Sequence, residues 1–167
     1  MTSKRSKGNQ AESLCKTQVL NTQKRCEIHG PAVVALCDAV LLALGVPQRP
    51  LTVVFVNPRR MRALNRKYLG RDYATDVLSF SYPGEVAEGR FILGEIVIAP
   101  EVAWDQARRL KVAPERELRR LLVHGLLHLA GYDHETDQGA MLRLQRRLMR
   151  RRALLHGSPL AEMKNPA

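Results

Sequence analysis

Three of the five histidines in this 167-residue chain lie within eleven residues, and their spacing restricts what the segment can form. His124 and His128 are four residues apart in a stretch whose leucines recur at helical spacing, so both imidazoles would project from one helix face. Gly131 stands where a left-handed residue would end that helix, and the reversed chain would return His134 towards the other two. Three neutral imidazole nitrogens without a fourth protein ligand are typical of a catalytic zinc site with an open position.

Two histidines four apart on a helix also occur as a surface or half-buried pair that binds nothing. The third histidine and the turn glycine favour metal, so we predict one Zn²⁺ bound by His124, His128 and His134. Zinc proteases share this spacing but carry a glutamate directly after the first histidine, as the general base. This chain has Gly125 there. A zinc peptidase is therefore the least favoured interpretation, because its proton acceptor is missing.

The sequence His-Gly-Leu-Leu-His-Leu-Ala-Gly-Tyr-Asp-His at residues 124–134, together with Thr-Asp-Val-Leu-Ser-Phe at residues 75–80, resembles the YbeY family. The resemblance extends from about residue 50 to about residue 155. It implies a metal-dependent, single-strand-specific endoribonuclease that acts in ribosomal RNA maturation, at the 3′ end of the small-subunit rRNA, and in ribosome quality control. It also implies a zinc ion in a cleft between the histidine helix and a sheet.

Three further residues are candidates for catalysis. The family often has an arginine where this chain has Leu69, and Arg71 either supplies that cation to the transition state or is a plain loop residue. Asp76, in the family segment, is either a proton acceptor in the cleft or a hydrogen-bonding residue at a strand start. Asp133 either orients a histidine or holds the turn together, and we favour the second role.

The charge of the chain favours RNA as its partner. There are 27 basic and 16 acidic residues, a formal net charge of +11. From residue 51 onward we count 20 basic and 13 acidic residues, so an excess of 7 persists outside the N-terminal segment. A folded domain with such an excess tends to bind polyanions, although a solvated basic surface is the simpler alternative. A ribosome-assembly factor that binds zinc and RNA without catalysis therefore stays open, since Gly125 removes the obvious base.

No apolar run is long enough to cross a bilayer and no signal peptide is visible, so we expect a soluble cytoplasmic protein without membrane contact. The three cysteines lack a paired spacing and are predicted to be reduced and structural. They are Cys15, Cys26 and Cys37.

The apolar patterns predict one α+β domain at residues 15–156, a small mixed sheet packed with about five helices, between tails at 1–14 and 157–167. Strands are predicted at 17–21, 51–56, 75–82 and 91–98. Helices are predicted at 31–44, from Pro58 with Tyr68 on its buried stripe, at 100–110, through the histidines, and from a Thr136 cap to about Leu155. In the last predicted strand, Gly94 either admits a substrate backbone or forms a plain bulge.

Overall fold

The computed structural model describes residues 17–47, 49–87, 89–151, 154 and 161–163. In chain order its elements are β1 (Thr17–Asn21), β2 (Cys26–Ile28), α1 (Gly30–Leu44), β3 (Leu51–Phe55), α2 (Pro58–Leu69), β4 (Val77–Ser81), β5 (Val86–Ala87), β6 (Arg90–Phe91), β7 (Gly94–Ile98), α3 (Pro100–Leu110), α4 (Pro114–Leu129), α5 (Ala140–Met149) and β8 (Ala161–Met163). The predicted α+β class, with a small mixed sheet and five helices, is confirmed for this part of the chain.

A four-stranded sheet in the order β1-β3-β7-β4 organises the molecule. β1, β3 and β7 run parallel, and β4 lies antiparallel to β7 at the edge, with Ser79 opposite Ile96. Successive side chains of a strand point to opposite faces, so each strand contributes to two layers. α4 contacts both β4 and β7, which places the histidine helix across the edge of the sheet.

The two faces of the sheet are covered unequally. Val53, Phe55, Ile96 and Ile98 point into the main core, which also contains side chains of α1, α3, α4 and α5. On the opposite face, α2 joins a smaller cluster. That cluster consists of Val56, Met61, Leu78, Val97 and Ala99. The main core therefore buries one face of α4, whereas part of the other face of the sheet stays open beside α2.

Gly94 is needed for the packing of the protein itself. Its φ is +150°, and a Cβ atom added there would lie 2.3 Å from the carbonyl oxygen of Phe80 and 2.7 Å from Cδ2 of Leu129. Any side chain would push β4 and the end of α4 apart. The close approach at Gly94 is thus made by neighbouring protein atoms, and its regular pairing with Leu51 and Ser81 shows no bulge.

The prediction that Tyr68 is buried is wrong, because its side chain is 53% exposed. The face of α2 that packs against the sheet is narrower than the apolar pattern of the sequence indicates, and Asn65 is buried on that face instead of Tyr68. The side-chain amide of Asn65 donates to the carbonyl oxygen of Tyr73 at 2.9 Å, which makes burial of a polar group acceptable.

The prediction that Thr136 caps the last helix is also wrong, because α5 begins only at Ala140. Gly139 precedes it with a φ of +83°, and the carboxylate of Asp137 accepts from the backbone N–H groups of Gly139 at 2.9 Å and Met141 at 2.7 Å. The aspartate thereby satisfies N–H groups that would otherwise lack partners at the helix start. The predicted end at Leu155 lies outside the described residues.

The segment predicted as a C-terminal tail contains β8, which pairs antiparallel with β2 so that Glu162 lies opposite Glu27.

Cys26 and Cys37 are buried and form no disulfide, as expected for structural thiols, while Cys15 lies outside the described residues. None of the helices described combines the length and the apolar character that a bilayer crossing demands.

Candidate metal centre

The sequence of α4 explains where the helix begins and ends. Pro114 occupies the first turn, together with Glu115 and Glu117, whose charges suit the positive end of a helix dipole. At the other end, Gly131 adopts a φ of +93° and its N–H donates to the carbonyl oxygen of His128 at 3.0 Å. The chain therefore reverses directly after the second histidine, as the sequence predicts.

The reversal brings the three predicted ligands together. The Nε2 atoms of His124 and His128 lie 3.2 Å apart, and one ligand atom from each of the three histidines lies within 4.8 Å of the others. The ring of His134 has its centroid 5.3 Å from that of His124 and 5.1 Å from that of His128. Zinc–nitrogen bonds of about 2.0–2.1 Å in a tetrahedron separate two nitrogens by roughly 3.3 Å, so the first pair already has the spacing that a shared ion requires.

Gln145 of α5 determines which nitrogen of His124 can bind metal. Its side chain is only 7% exposed, and its Oε1 lies 2.9 Å from Nδ1 of His124. An amide oxygen only accepts, so Nδ1 carries the proton and Nε2 keeps a free lone pair towards His128. His124 therefore offers a neutral nitrogen beside that of His128, and the three histidines together could hold a metal ion.

The surroundings favour the neutral form that metal binding needs. Burial lowers the pKa of His124, the hydrogen bond that its Nδ1–H donates to Gln145 opposes this, and the nearby His128 lowers the pKa further. Burial also lowers the pKa of His128, followed by the effect of His134, whereas a hydrogen bond to the Tyr132 backbone opposes the change. Both helix histidines thus resist protonation more than a free imidazole does, and protons compete less with a metal.

Two of the predicted ligands, His124 and His128, line a cleft of about 520 Å³ between α4, β4 and the end of α2. Apart from His124 and His128, its lining is formed by side chains from 68–69, 77–81 and Leu129. Tyr68 and Leu69 reach it from α2. No arginine or lysine is among these lining residues, so the cation expected beside the metal is absent from the lining that the structure describes.

Gly125 has a packing role at the position where zinc proteases have a glutamate. A Cβ atom at residue 125 would lie 3.0 Å from Cγ2 of Ile96 and 3.0 Å from Oγ of Ser79. A longer side chain would have to displace the strands beneath α4. The glycine therefore allows α4 to approach the sheet closely, and the same closeness disfavours the peptidase interpretation.

Asp76 lies at the start of β4, where its carboxylate makes several contacts. Oδ1 accepts from the backbone N–H of Val77 at 2.8 Å and from the Thr75 hydroxyl at 3.2 Å. Oδ2 lies 3.8 Å from the guanidinium of Arg120, which also pairs with the buried Glu117. These contacts tie the edge strand to the histidine helix, and Asp76 is not among the residues that line the cleft.

Asp133 holds the turn that presents His134. Its carboxylate accepts from the backbone N–H of Glu135 at 3.0 Å and from the Thr136 hydroxyl at 3.2 Å. The hydrogen bond from the Glu135 backbone is also the main reason why the pKa of Asp133 is lowered. Its carboxylate oxygens therefore act in the geometry of the turn, and no hydrogen bond to a histidine ring is present among the described residues.

Arg71 is exposed and follows the end of α2, where its backbone N–H donates to the carbonyl oxygen of Asn65. It is absent from the cleft lining, whereas Leu69, at the family's arginine position, is part of it. The structure thus brings together the three histidines and leaves the three catalytic candidates outside the cleft lining. Gln145 was missed by the sequence analysis, although a glutamine between Met141 and Leu148 on an apolar stripe is a usable signal.

The comparisons with known proteins agree with this geometry. The family model for Endoribonuclease YbeY matches residues 18–153. The chain belongs to the YbeY family. Among curated members, Endoribonuclease YbeY of Anaeromyxobacter sp. is 44% identical over 126 residues, which cover 74% of this chain and 65% of that protein. Endoribonuclease YbeY of Aquifex aeolicus is 40% identical over 120 residues, covering 72% and 79% respectively.

Coverage of the YbeY relatives varies. The match spans 60% of the Thermodesulfovibrio yellowstonii protein, at 40% identity and 58% of this chain. Among solved structures, the solution structure of TM1509 from Thermotoga maritima is similar, with a TM-score of 0.54 at 28% identity, and the match covers 80% of this chain and 86% of that one. The family resemblance is thereby confirmed, and the fold is one that a solved structure shares.

Proposed function

We propose that the chain is a metal-dependent endoribonuclease that cuts single-stranded RNA, with one Zn²⁺ ion held by His124, His128 and His134. The main support for this proposal is that one nitrogen from each of the three histidines lies within 4.8 Å of the others. Two of these histidines line an open cleft. The names of the YbeY relatives support RNA as the substrate. Zinc is preferred because three imidazoles with one open position suit it.

A zinc ion bound there would supply Lewis-acid chemistry to a phosphodiester in the cleft. The residues of the chain do the rest. Gln145 holds the proton of His124 on Nδ1, and the Asp133 turn keeps His134 beside the helix pair. The neutral ligands leave the positive charge of the ion undiminished, which favours an anionic phosphodiester over a peptide carbonyl.

For the three catalytic candidates we propose roles that agree with their contacts. Asp76 and Asp133 act as positioning residues, the first through Arg120 and the second through the His134 turn. Arg71 remains the candidate cation, and we propose that it meets a phosphate of the RNA outside the cleft, compensating in part for Leu69. A twofold to tenfold loss of cleavage in Arg71→Gln, with unchanged metal content, is the result that would support this role.

We further propose that the RNA is ribosomal, that cutting occurs near the 3′ end of the small-subunit rRNA, and that the protein acts in the cytoplasm. The catalytic unit is proposed to span residues 15–156, with β8 packed back against it. The family membership and the net charge of +11 support these proposals. Comparing the small-subunit rRNA ends in cells with and without the protein would test the substrate.

The direct test compares three proteins on a single-stranded RNA and on the same sequence annealed to its complement. Wild type loaded with zinc is expected to cut the single strand and to spare the duplex. His124→Ala is expected to lose at least a hundredfold in rate, because one ligand of the ion is gone. His29→Ala is the matched control, since His29 lies on another element and outside the histidine cluster.

Cleavage that persists in His124→Ala, in a protein with unchanged circular dichroism, would remove the metal from the mechanism. RNA binding without turnover at any metal loading would favour the non-catalytic assembly factor instead. Proteolysis of casein by the pure protein would support the zinc-peptidase interpretation instead.

A further inference from the structure

A second cavity adjoins the metal cleft, on the face of the sheet that α2 covers only in part. Its volume is about 310 Å³. Tyr68 and Phe80 line both spaces, so they form the wall that the cleft and this cavity share. If an RNA strand places one phosphate in the cleft, a neighbouring nucleotide of the same strand would therefore reach the cavity.

One wall of this cavity presents an aromatic ring on which a flat aromatic ligand can stack. The ring centroids of Tyr68 and Phe80 lie 5.0 Å apart at an interplanar angle of 59°, and more than half of the Tyr68 surface is exposed. Val54 and Val97 provide an apolar floor from neighbouring strands. Phe80 is half-buried, so Tyr68 is the exposed ring of the pair. An exposed aromatic ring beside an apolar sheet surface is a common platform for stacking an unpaired base.

The polar groups of the cavity leave hydrogen-bonding capacity open. Glu95 is half-buried, and in the described part of the chain only the Tyr82 hydroxyl donates to its carboxylate, at a long 3.3 Å. An ionised carboxylate can accept about four hydrogen bonds, so most of its capacity is available to a ligand with donors. Arg60, at the same cavity, has no acidic partner within ion-pair distance among the described residues.

We infer that this cavity is a nucleobase subsite that prefers guanine and receives the base beside the phosphodiester held at the metal centre. Guanine presents N1–H and the N2 amino group side by side, two donors that match the two oxygens of the Glu95 carboxylate. Adenine and cytosine offer one donor beside an acceptor on that edge, and uracil places its single donor between two acceptors. Arg60 would contact a flanking phosphate.

The inference rests on the proposed function, because the base must belong to an RNA strand that reaches the cleft. Binding and cutting can nevertheless be measured separately. Fluorescence anisotropy with labelled pentaribonucleotides, each with one guanine, adenine, cytosine or uracil in an otherwise uniform background, measures binding to protein kept metal-free by a chelator. The sites cut by the zinc-loaded protein in a random RNA pool then give the base preference of cleavage.

Wild type is expected to bind the guanine oligonucleotide roughly 5- to 100-fold more tightly than the other three. Glu95→Gln should lose this preference and favour adenine or cytosine, because an amide presents one donor and one acceptor. Glu27→Gln is the matched control, with the same charge change on an exposed residue of β2, and should keep the preference. Tyr68→Leu should weaken all four oligonucleotides and leave their order unchanged, since stacking does not depend on the base edge.

A wild type that binds all four bases equally, or a guanine preference that survives Glu95→Gln in a folded protein, would overturn the subsite. Metal-dependent cutting without base preference would overturn it while leaving the nuclease proposal intact. Guanine-selective binding without any cutting would support the subsite and contradict the nuclease.

Discussion

His124 owes the orientation that we propose for metal binding to one buried amide on another helix. The oxygen of Gln145 lies 2.9 Å from Nδ1 of His124, which leaves Nε2 facing His128. Without this acceptor the imidazole could rotate or change tautomer, and its lone pair would no longer be held towards the metal. The position of a single side chain thus determines whether the histidine pair is prepared for an ion.

We therefore expect Gln145→Leu to bind zinc about 10- to 100-fold more weakly than wild type while it keeps its fold. Competition with a chromophoric zinc chelator measures this directly. Gln18→Leu, on the exposed side of β1, is the control for the change of side chain and should leave zinc affinity unchanged. Equal affinities in both variants would show that Gln145 does not position His124.

Burial also protects the two described cysteines, Cys26 and Cys37, from chemical modification. Burial raises the pKa of Cys37 far above the ordinary value of a thiol and that of Cys26 to about 11, so neither is a thiolate in the folded protein at neutral pH. We expect iodoacetamide to leave both unmodified in native protein and to label both after denaturation. Peptide mass spectrometry distinguishes the sites, and rapid labelling of native Cys37 would contradict its burial.

At the scale of elements, two glycines permit α4 to lie directly on β4 and β7. A Cβ atom at Gly94 would lie 2.3 Å from the carbonyl oxygen of Phe80, and one at Gly125 would lie 3.0 Å from Ile96 and from Ser79. Gly30 is the comparison without crowding, because a Cβ atom there would lie 4.0 Å from Val19. The metal cleft lies along this contact, so the glycines determine its shape as well as the stability of the fold.

The expected order of destabilisation is accordingly Gly94→Ala, then Gly125→Ala, with Gly30→Ala near neutral. At residue 125, overpacking costs about 1–3 kcal/mol. The better helix propensity of alanine returns about 1 kcal/mol. We expect a net loss of about 1 kcal/mol in the free energy of unfolding, measured by urea denaturation. A Gly125→Ala protein more stable than wild type would contradict the close approach of α4.

The same elements show what the sequence can and cannot predict. The histidine helix was predicted because its ligands, its leucines and Gly131 are all local in sequence. Gln145 was missed because its partner is 21 residues away, and the shift of the α5 start to Ala140 depends on Asp137 rather than on apolar periodicity. Tyr68 was misplaced because the area of sheet that α2 covers is a tertiary property.

For the whole molecule, the basic excess predicts salt-dependent binding of RNA. Each phosphate contact to single-stranded RNA contributes a slope of about −0.7 to the plot of log affinity against log salt. α2 borders the cleft and carries exposed cations, whereas no α5 side chain lines it. Replacing Arg59 and Lys67 with glutamine should lower both affinity and slope more than replacing Arg147 and Arg150. Equal effects would show that RNA does not follow α2.

The proposed cleavage requires one ion bound by three histidines. Titrating Zn²⁺ into chelator-stripped protein, while bound zinc and the rate of single-stranded RNA cleavage are followed in the same sample, tests it most directly. We expect the rate to rise in proportion to bound zinc up to one equivalent and then to level off, with neither signal in His128→Ala. A cleavage rate that is independent of bound zinc would contradict the account.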